Sequence, residues 1–254
     1  MDLGLRDRVY IVTGASRGLG WASAEQLAAE GARLVLCSRD NDRLEERARS
    51  LGGPERALAV AGDLADPGLP GRLVASANAR YGRLDGALVS VGGPPAGGTG
   101  DITDTQWRDA FESVFLGPLR LARAVVDATS IEGSSILFVL STSVRSPIAG
   151  LATSNGIRPG LAMVAKTLAD EVGHRGIRVN ALMPGRIDTD RIRELEGGTP
   201  DPAQTRRQSE AAIPLRRLGQ PVEFGRVATF VLSPAASYLT GMVLPVDGGA
   251  IRAL

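Results

Sequence analysis

Residues 13–20 read Thr13-Gly14-Ala15-Ser16-Arg17-Gly18-Leu19-Gly20. An apolar run at 9–12 precedes this segment, and a helix-patterned stretch at 19–29 follows it. Glycine at 14, 18 and 20 lets the main chain turn sharply and come close to a charged group. The helix that follows presents free N–H groups and the positive end of its dipole. That is the chemistry needed to hold a pyrophosphate. A Gly-x-x-x-Gly-x-Gly spacing alone also occurs in ordinary turns. The strand before it and the helix after it argue for a dinucleotide.

The rest of the chain must position that turn. Short apolar runs at 34–37, 57–61, 84–89, 135–140, 177–182 and 243–246 continue a strand pattern. Helical patterning covers 41–50, 73–80, 105–128, 160–172 and 222–232. Strands alternating with helices predict an α/β chain with a parallel sheet covered on both faces. The fold class expected is a single doubly wound Rossmann-type domain of about seven strands, spanning 1–254. Pro118 should kink or break the long 105–128 helix. Residues 92–100, rich in Gly and Pro, form a loop. The excursion at 184–218, with Gly197-Gly198 and several prolines as hinges, is the expected substrate lid. The stripe Leu161, Val164, Ala165, Leu168, Ala169 and Val172 serves either the sheet or a subunit interface.

Composition excludes several functions. A net charge of +1 in 254 residues gives no electrostatic reason to expect nucleic acid. No apolar run approaches a membrane span, and the first residues are polar without a signal region. A cytoplasmic location is expected. One cysteine, Cys37, and one histidine, His174, exclude an internal disulfide and a zinc-type cluster, so no metal site is expected. Lys166 is the only lysine among 29 basic residues. Arginine in a lysine position can therefore reflect genome composition rather than function.

Several motifs in order give the chain a family likeness. Besides the glycine turn they are Gly176-Ile177-Arg178-Val179-Asn180-Ala181, Pro184-Gly185-x-Ile187-x-Thr189, Tyr238-Leu239-Thr240-Gly241 and Val246-Asp247-Gly248-Gly249. The chain resembles the short-chain dehydrogenase/reductase family, nearest its 3-oxoacyl-carrier-protein reductase-like set. The resemblance implies cofactor contacts from Gly14, Ser16, Arg17, Gly18, Leu19, Gly20, Arg39, Asp63, Leu64, Arg158, Pro184, Gly185, Ile187 and Thr189. It also implies a homotetramer. NAD-selecting enzymes often carry an acid at the end of the second strand. Here Ser38-Arg39 occupies that place, and Arg39 with Arg17 can pair with a 2′-phosphate. NADP is favoured over NAD, although Asp40 follows directly.

The family's chemistry exchanges a hydride with a carbonyl carbon while a Tyr, Lys, Ser and Asn tetrad manages the proton. Counted from the neighbouring motifs, the Ser position falls on Ser141 and is kept. The Tyr position falls on Ser154, the Lys position on Arg158 and the Asn position on Val114. Ser90-Val91-Gly92-Gly93 replaces the family's Asn-Asn-Ala-Gly. No alignment slip can restore a tyrosine, because none lies between Tyr81 and Tyr238. Arg158 keeps a positive charge but cannot relay a proton as lysine can. Arg145, Arg158 and Arg186 are expected to face one crevice and to receive an anionic group, or else to be solvated surface arginines. The function expected is an NADP(H)-dependent oxidoreductase on a small carbonyl or alcohol substrate with an atypical tetrad. The alternative is a catalytically inactive dinucleotide-binding homologue.

Overall fold

The structure, a computed structural model, describes residues 2–129 and 133–252. Seven strands, β1 (Val9–Thr13), β2 (Arg33–Ser38), β3 (Ala57–Ala61), β4 (Gly86–Val89), β5 (Ser135–Val139), β6 (Arg178–Pro184) and β7 (Val243–Val246), form one sheet. All pairings are parallel, in the order β3-β2-β1-β4-β5-β6-β7. Their continuous apolar runs suit a sheet covered on both faces. The chain order reverses between β1 and β4, and a crevice opens there beyond the carboxyl ends of the strands.

The helices are α1 (Gly18–Ala29), α2 (Asn41–Ser50), α3 (Leu69–Tyr81), α4 (Asp104–Phe111), α5 (Gly117–Ala128), α6 (Ala152–Val172), α7 (Asp190–Gly197), α8 (Pro202–Ala212) and α9 (Pro221–Leu232). Leu73 of α3, Leu121 of α5 and Leu161 of α6 pack on one face of the sheet. Leu27 of α1, Leu44 of α2 and Phe224 of α9 pack on the other.

Two expectations need correction. The 105–128 stretch is not one kinked helix. A π-helical turn at Glu112–Leu116 joins α4 to α5, with Gly117 N–H donating to Glu112 O. Pro118 starts α5, where its missing N–H costs no helical bond. The helix expected from residue 160 begins eight residues earlier, at Ala152. Gly156 and Pro159 look like breakers locally. Tertiary packing overrides them, because a Cβ at Gly156 would lie 3.0 Å from the Trp107 ring. Of the stripe on α6, Leu161, Ala165, Leu168, Ala169 and Val172 are buried in the core against the sheet.

Candidate active site

A cavity of about 1190 Å³ lies over the crevice. Its floor begins at the glycine turn, where Gly14, Ser16, Arg17, Gly18, Leu19 and Gly20 all line it. Gly14 and Gly18 have φ of +61° and +60°, a conformation that favours glycine. A Cβ at Gly20 would lie 2.4 Å from Gly14 O, so the turn closes only without a side chain. Thr13 at the tip of β1 donates from Oγ1 to Ser90 O at 2.6 Å and accepts from Ser90 N at 2.9 Å. These two bonds tie the tips of β1 and β4 across the switch point.

Arg39, Asp63 and Leu64 line the adjoining part of the cavity. Arg39 Nη1 lies 3.7 Å from Asp63 Oδ2 and is largely exposed. Asp40, which muddied the choice of cofactor in the sequence, is turned to α2, where it accepts from Arg43 N and caps the helix. Arg43, which no sequence motif marks, lines the same cavity. Arg17 reaches towards α7, with Nη1 3.9 Å from Asp190 Oδ2 and 3.6 Å from Glu194 Oε1.

Pro184, Gly185, Ile187 and Thr189 form the opposite wall. A Cβ at Gly185 would lie 2.6 Å from Asp247 Cβ, so glycine allows β6 to leave the sheet beside the C-terminal strand. Ile187 is buried, and the main chain around it pairs with Gly219.

The tetrad positions meet at the far end of the cavity. Ser141 follows β5, lines the cavity and accepts from Ser143 N at 3.1 Å. Ser154, on the first turn of α6, is buried with its Oγ 3.0 Å from Ser143 Oγ. Ser143 was missed in the sequence, and only the tight turn after Ser141 brings it inward. Arg158 lies one turn beyond Ser154 and is 6 % exposed. Its Nη1 donates to Val139 O at 3.0 Å and Leu140 O at 3.2 Å. Burial, and then the positive charge of Arg191, push it down to about 10, which leaves it protonated at neutral pH. Val114 is buried on the π-helical turn and packs with Ala110, Ile157 and Val91. The wall at the Asn position is therefore apolar.

The three arginines do not converge. Arg145 is exposed and is not among the cavity residues, because the turn at Thr142–Val144 directs the chain away. Arg186 lines the cavity, but its Nη1 lies 3.7 Å from the buried carboxylate of Glu196. Arg191 of α7, not singled out in the sequence, is the second guanidinium near Arg158. Its Nη2 donates to Pro94 O at 2.9 Å.

Residues 14–250 match the family model described as enoyl-(acyl carrier protein) reductase. The chain is 33 % identical over 251 residues to dehydrogenase/reductase SDR family member 4 of Homo sapiens, covering 96 % of this chain and 88 % of that one. The protein belongs to the short-chain dehydrogenase/reductase family. Among solved structures it resembles a short-chain dehydrogenase/reductase of Brucella melitensis, with a TM-score of 0.93 and 30 % identity over the whole of both chains. It also resembles L-sorbose reductase of Gluconobacter frateurii, solved with NADPH and L-sorbose, with a TM-score of 0.92 and 32 % identity over the whole of both chains. No helix of the described residues is long and apolar enough to cross a membrane.

Proposed function

We propose that this family member is an NADP(H)-dependent oxidoreductase acting on a small carbonyl or alcohol substrate. The observation that carries this reading is a cradle fitted to a dinucleotide. Gly14 and Gly20 let the main chain close tightly at its floor, the N-terminus of α1 lines it, and Arg17, Arg39 and Arg43 line its rim. Arg39 and Arg17 supply the charge for a 2′-phosphate, and no acid at residue 39 opposes one. Asp63 and Leu64 would contact the adenine, and Thr189 the carboxamide. A dinucleotide held there supplies hydride exchange with a carbonyl or alcohol carbon.

This chain's residues then have a limited set of tasks. Ser141 polarises the substrate oxygen. Arg158, buried in the wall of the same cavity, supplies positive charge that stabilises negative charge on the bound substrate. Ser154 and Ser143 offer a hydroxyl pair through which water can deliver the proton. A serine hydroxyl is a much weaker acid than a phenol, so this relay is slower than one built on tyrosine. Segment 184–218, with α7 and α8, acts as the lid. The protein works in the cytoplasm as a homotetramer, on the family pattern.

A second reading keeps the cofactor and drops the chemistry. The apolar wall at Val114, Val91 and Ile157 supports a dinucleotide-binding member with no turnover.

Calorimetric titration with NADPH and NADH tests the shared step. Tight NADPH binding with weak NADH binding supports both readings, and binding of neither overturns both. NADPH oxidation across ketones, aldehydes and oxo acids then separates them.

A further inference from the structure

The cavity wall holds a buried cation without a counter-ion. Arg158 is nearly inaccessible, and its two hydrogen bonds go to neutral main-chain carbonyls. No carboxylate among the described residues pairs with it. Buried charges in folded proteins are normally paired, because desolvation costs several kcal/mol per ion when nothing offsets it. The charge of Arg191, of the same sign, adds to burial in pushing the Arg158 guanidinium down.

Arg191 also lines the cavity. It sits on the first turn of α7, within the 184–218 excursion, and crosses to the loop after β4. A Cβ built on Gly93 would lie 2.6 Å from Arg191 Nε, so the guanidinium rests directly on that glycine. Its bond to Pro94 O holds it there. Its own acid, Glu194, is 3.8 Å away, beyond hydrogen-bond distance, and is shared with Arg17. Both guanidiniums line the same cavity as Ser141 and Ser154. Two like charges lining one cavity, one buried and one carried by the excursion, are stabilised together by an anion that reaches both.

We propose that the substrate carries a carboxylate, bound between Arg158 and Arg191, and that Arg191 is the residue that selects it. This rests on the oxidoreductase reading for the identity of the ligand as a substrate. The carboxylate preference itself can be measured without turnover. Ser141 lies in the same cavity, so the class indicated is an oxo acid or hydroxy acid. The reaction would reduce the oxo carbon with the hydride of NADPH. One proton from water completes the hydroxyl group, and NADP⁺ is released.

The test uses 2-, 3- and 4-oxopentanoate, each paired with its methyl ester, titrated calorimetrically into the protein with and without saturating NADPH. At least one acid should bind about tenfold or more tighter than its ester, the scale of a charge-assisted contact. Arg191→Gln should erase that preference and Arg191→Lys restore part of it. Arg145→Gln, outside the cavity, should leave it intact and so controls for net charge. Unchanged melting temperatures establish that the variants fold. Equal binding of acid and ester for all three pairs overturns the proposal, as does a preference that survives Arg191→Gln. If neither nicotinamide cofactor binds while the acid preference and its Arg191 dependence hold, the oxidoreductase reading fails and the carboxylate site stands.

Discussion

Ser154 and Ser143 hold their hydroxyls 3.0 Å apart where the family's resemblance leads one to expect a phenol. The pair is buried, and Arg158 follows one helical turn later on α6. Ser154 and Arg158, four residues apart and both buried, thus share one face of α6. The double variant Ser154→Tyr with Arg158→Lys should raise NADPH-dependent carbonyl reduction by about 10²-fold or more, the scale of a general acid. Absorbance of NADPH over a carbonyl panel reads the result. No gain, with NADPH affinity retained, would mean that the apolar wall around Val114 also blocks the chemistry.

Arg39 and Arg17 are exposed at the cavity rim, so each can exchange its present acid for a ligand phosphate. Replacing either by Ala should weaken NADPH binding about 5- to 20-fold and leave NADH binding within about twofold, the range expected for one charge-assisted contact. Parallel titrations with the two cofactors check this. Equal losses for NADPH and NADH would remove these residues as readers of the 2′-phosphate.

Gly20 tolerates no side chain. The first added carbon would meet Gly14 O at 2.4 Å and Thr13 O at 2.7 Å, both main-chain atoms that cannot swing away. Gly20→Ala should cost about 3 kcal/mol or more and abolish dinucleotide binding. Thermal melting and NADPH titration of the same preparation measure both effects.

Glu223 caps α9 together with Gln220 and forms a two-pronged pair with Arg217, at 2.7 and 2.6 Å. The Arg217 hydrogen bond first, and then the Gln220 amide, hold its carboxyl at about 2, well below the usual carboxylate value. The folded value lies below the unfolded one, so the contribution is complete above about 4.5 and is lost as pH falls through 2. Water screens this partly exposed pair, which limits its worth. Glu223→Gln should destabilise by about 1 kcal/mol at pH 7 and by progressively less below pH 4. Urea unfolding midpoints across that pH range would show the convergence.

The glycine turn and the strand and helix on either side of it were legible because each depends on a few adjacent residues. The run at 9–12, the glycines and the helix after them carry their own signals. The start of α6 was hidden because Gly156 and Pro159 contradict a helix locally. Trp107, far away in the chain, packs where a side chain at Gly156 would otherwise stand. The basic end of the cavity failed in the same way. Arg145 follows Ser141 closely in sequence, but a tight turn points it outward. Arg191 is remote in sequence from Arg158, and only the path of α7 over Gly93 and Pro94 brings it in. Residue types suggested an anion pocket, and long-range packing decides which arginines line the cavity.

The paired bonds between Thr13 and residue 90 bear on how this crevice can change over generations. At residue 90 both bonds use the main chain, through its N–H and its C=O. Any residue with an amide hydrogen supplies the same two groups, so the side chain there is free to drift while the mouth of the crevice keeps its width. At residue 13 the contact is the hydroxyl itself, and only threonine or serine can supply it in that position. One partner of the clasp is thus evolutionarily silent and the other fixed. A lineage could exchange asparagine for Ser90, and with it the surrounding catalytic side chains, without first losing the place where its cofactor sits.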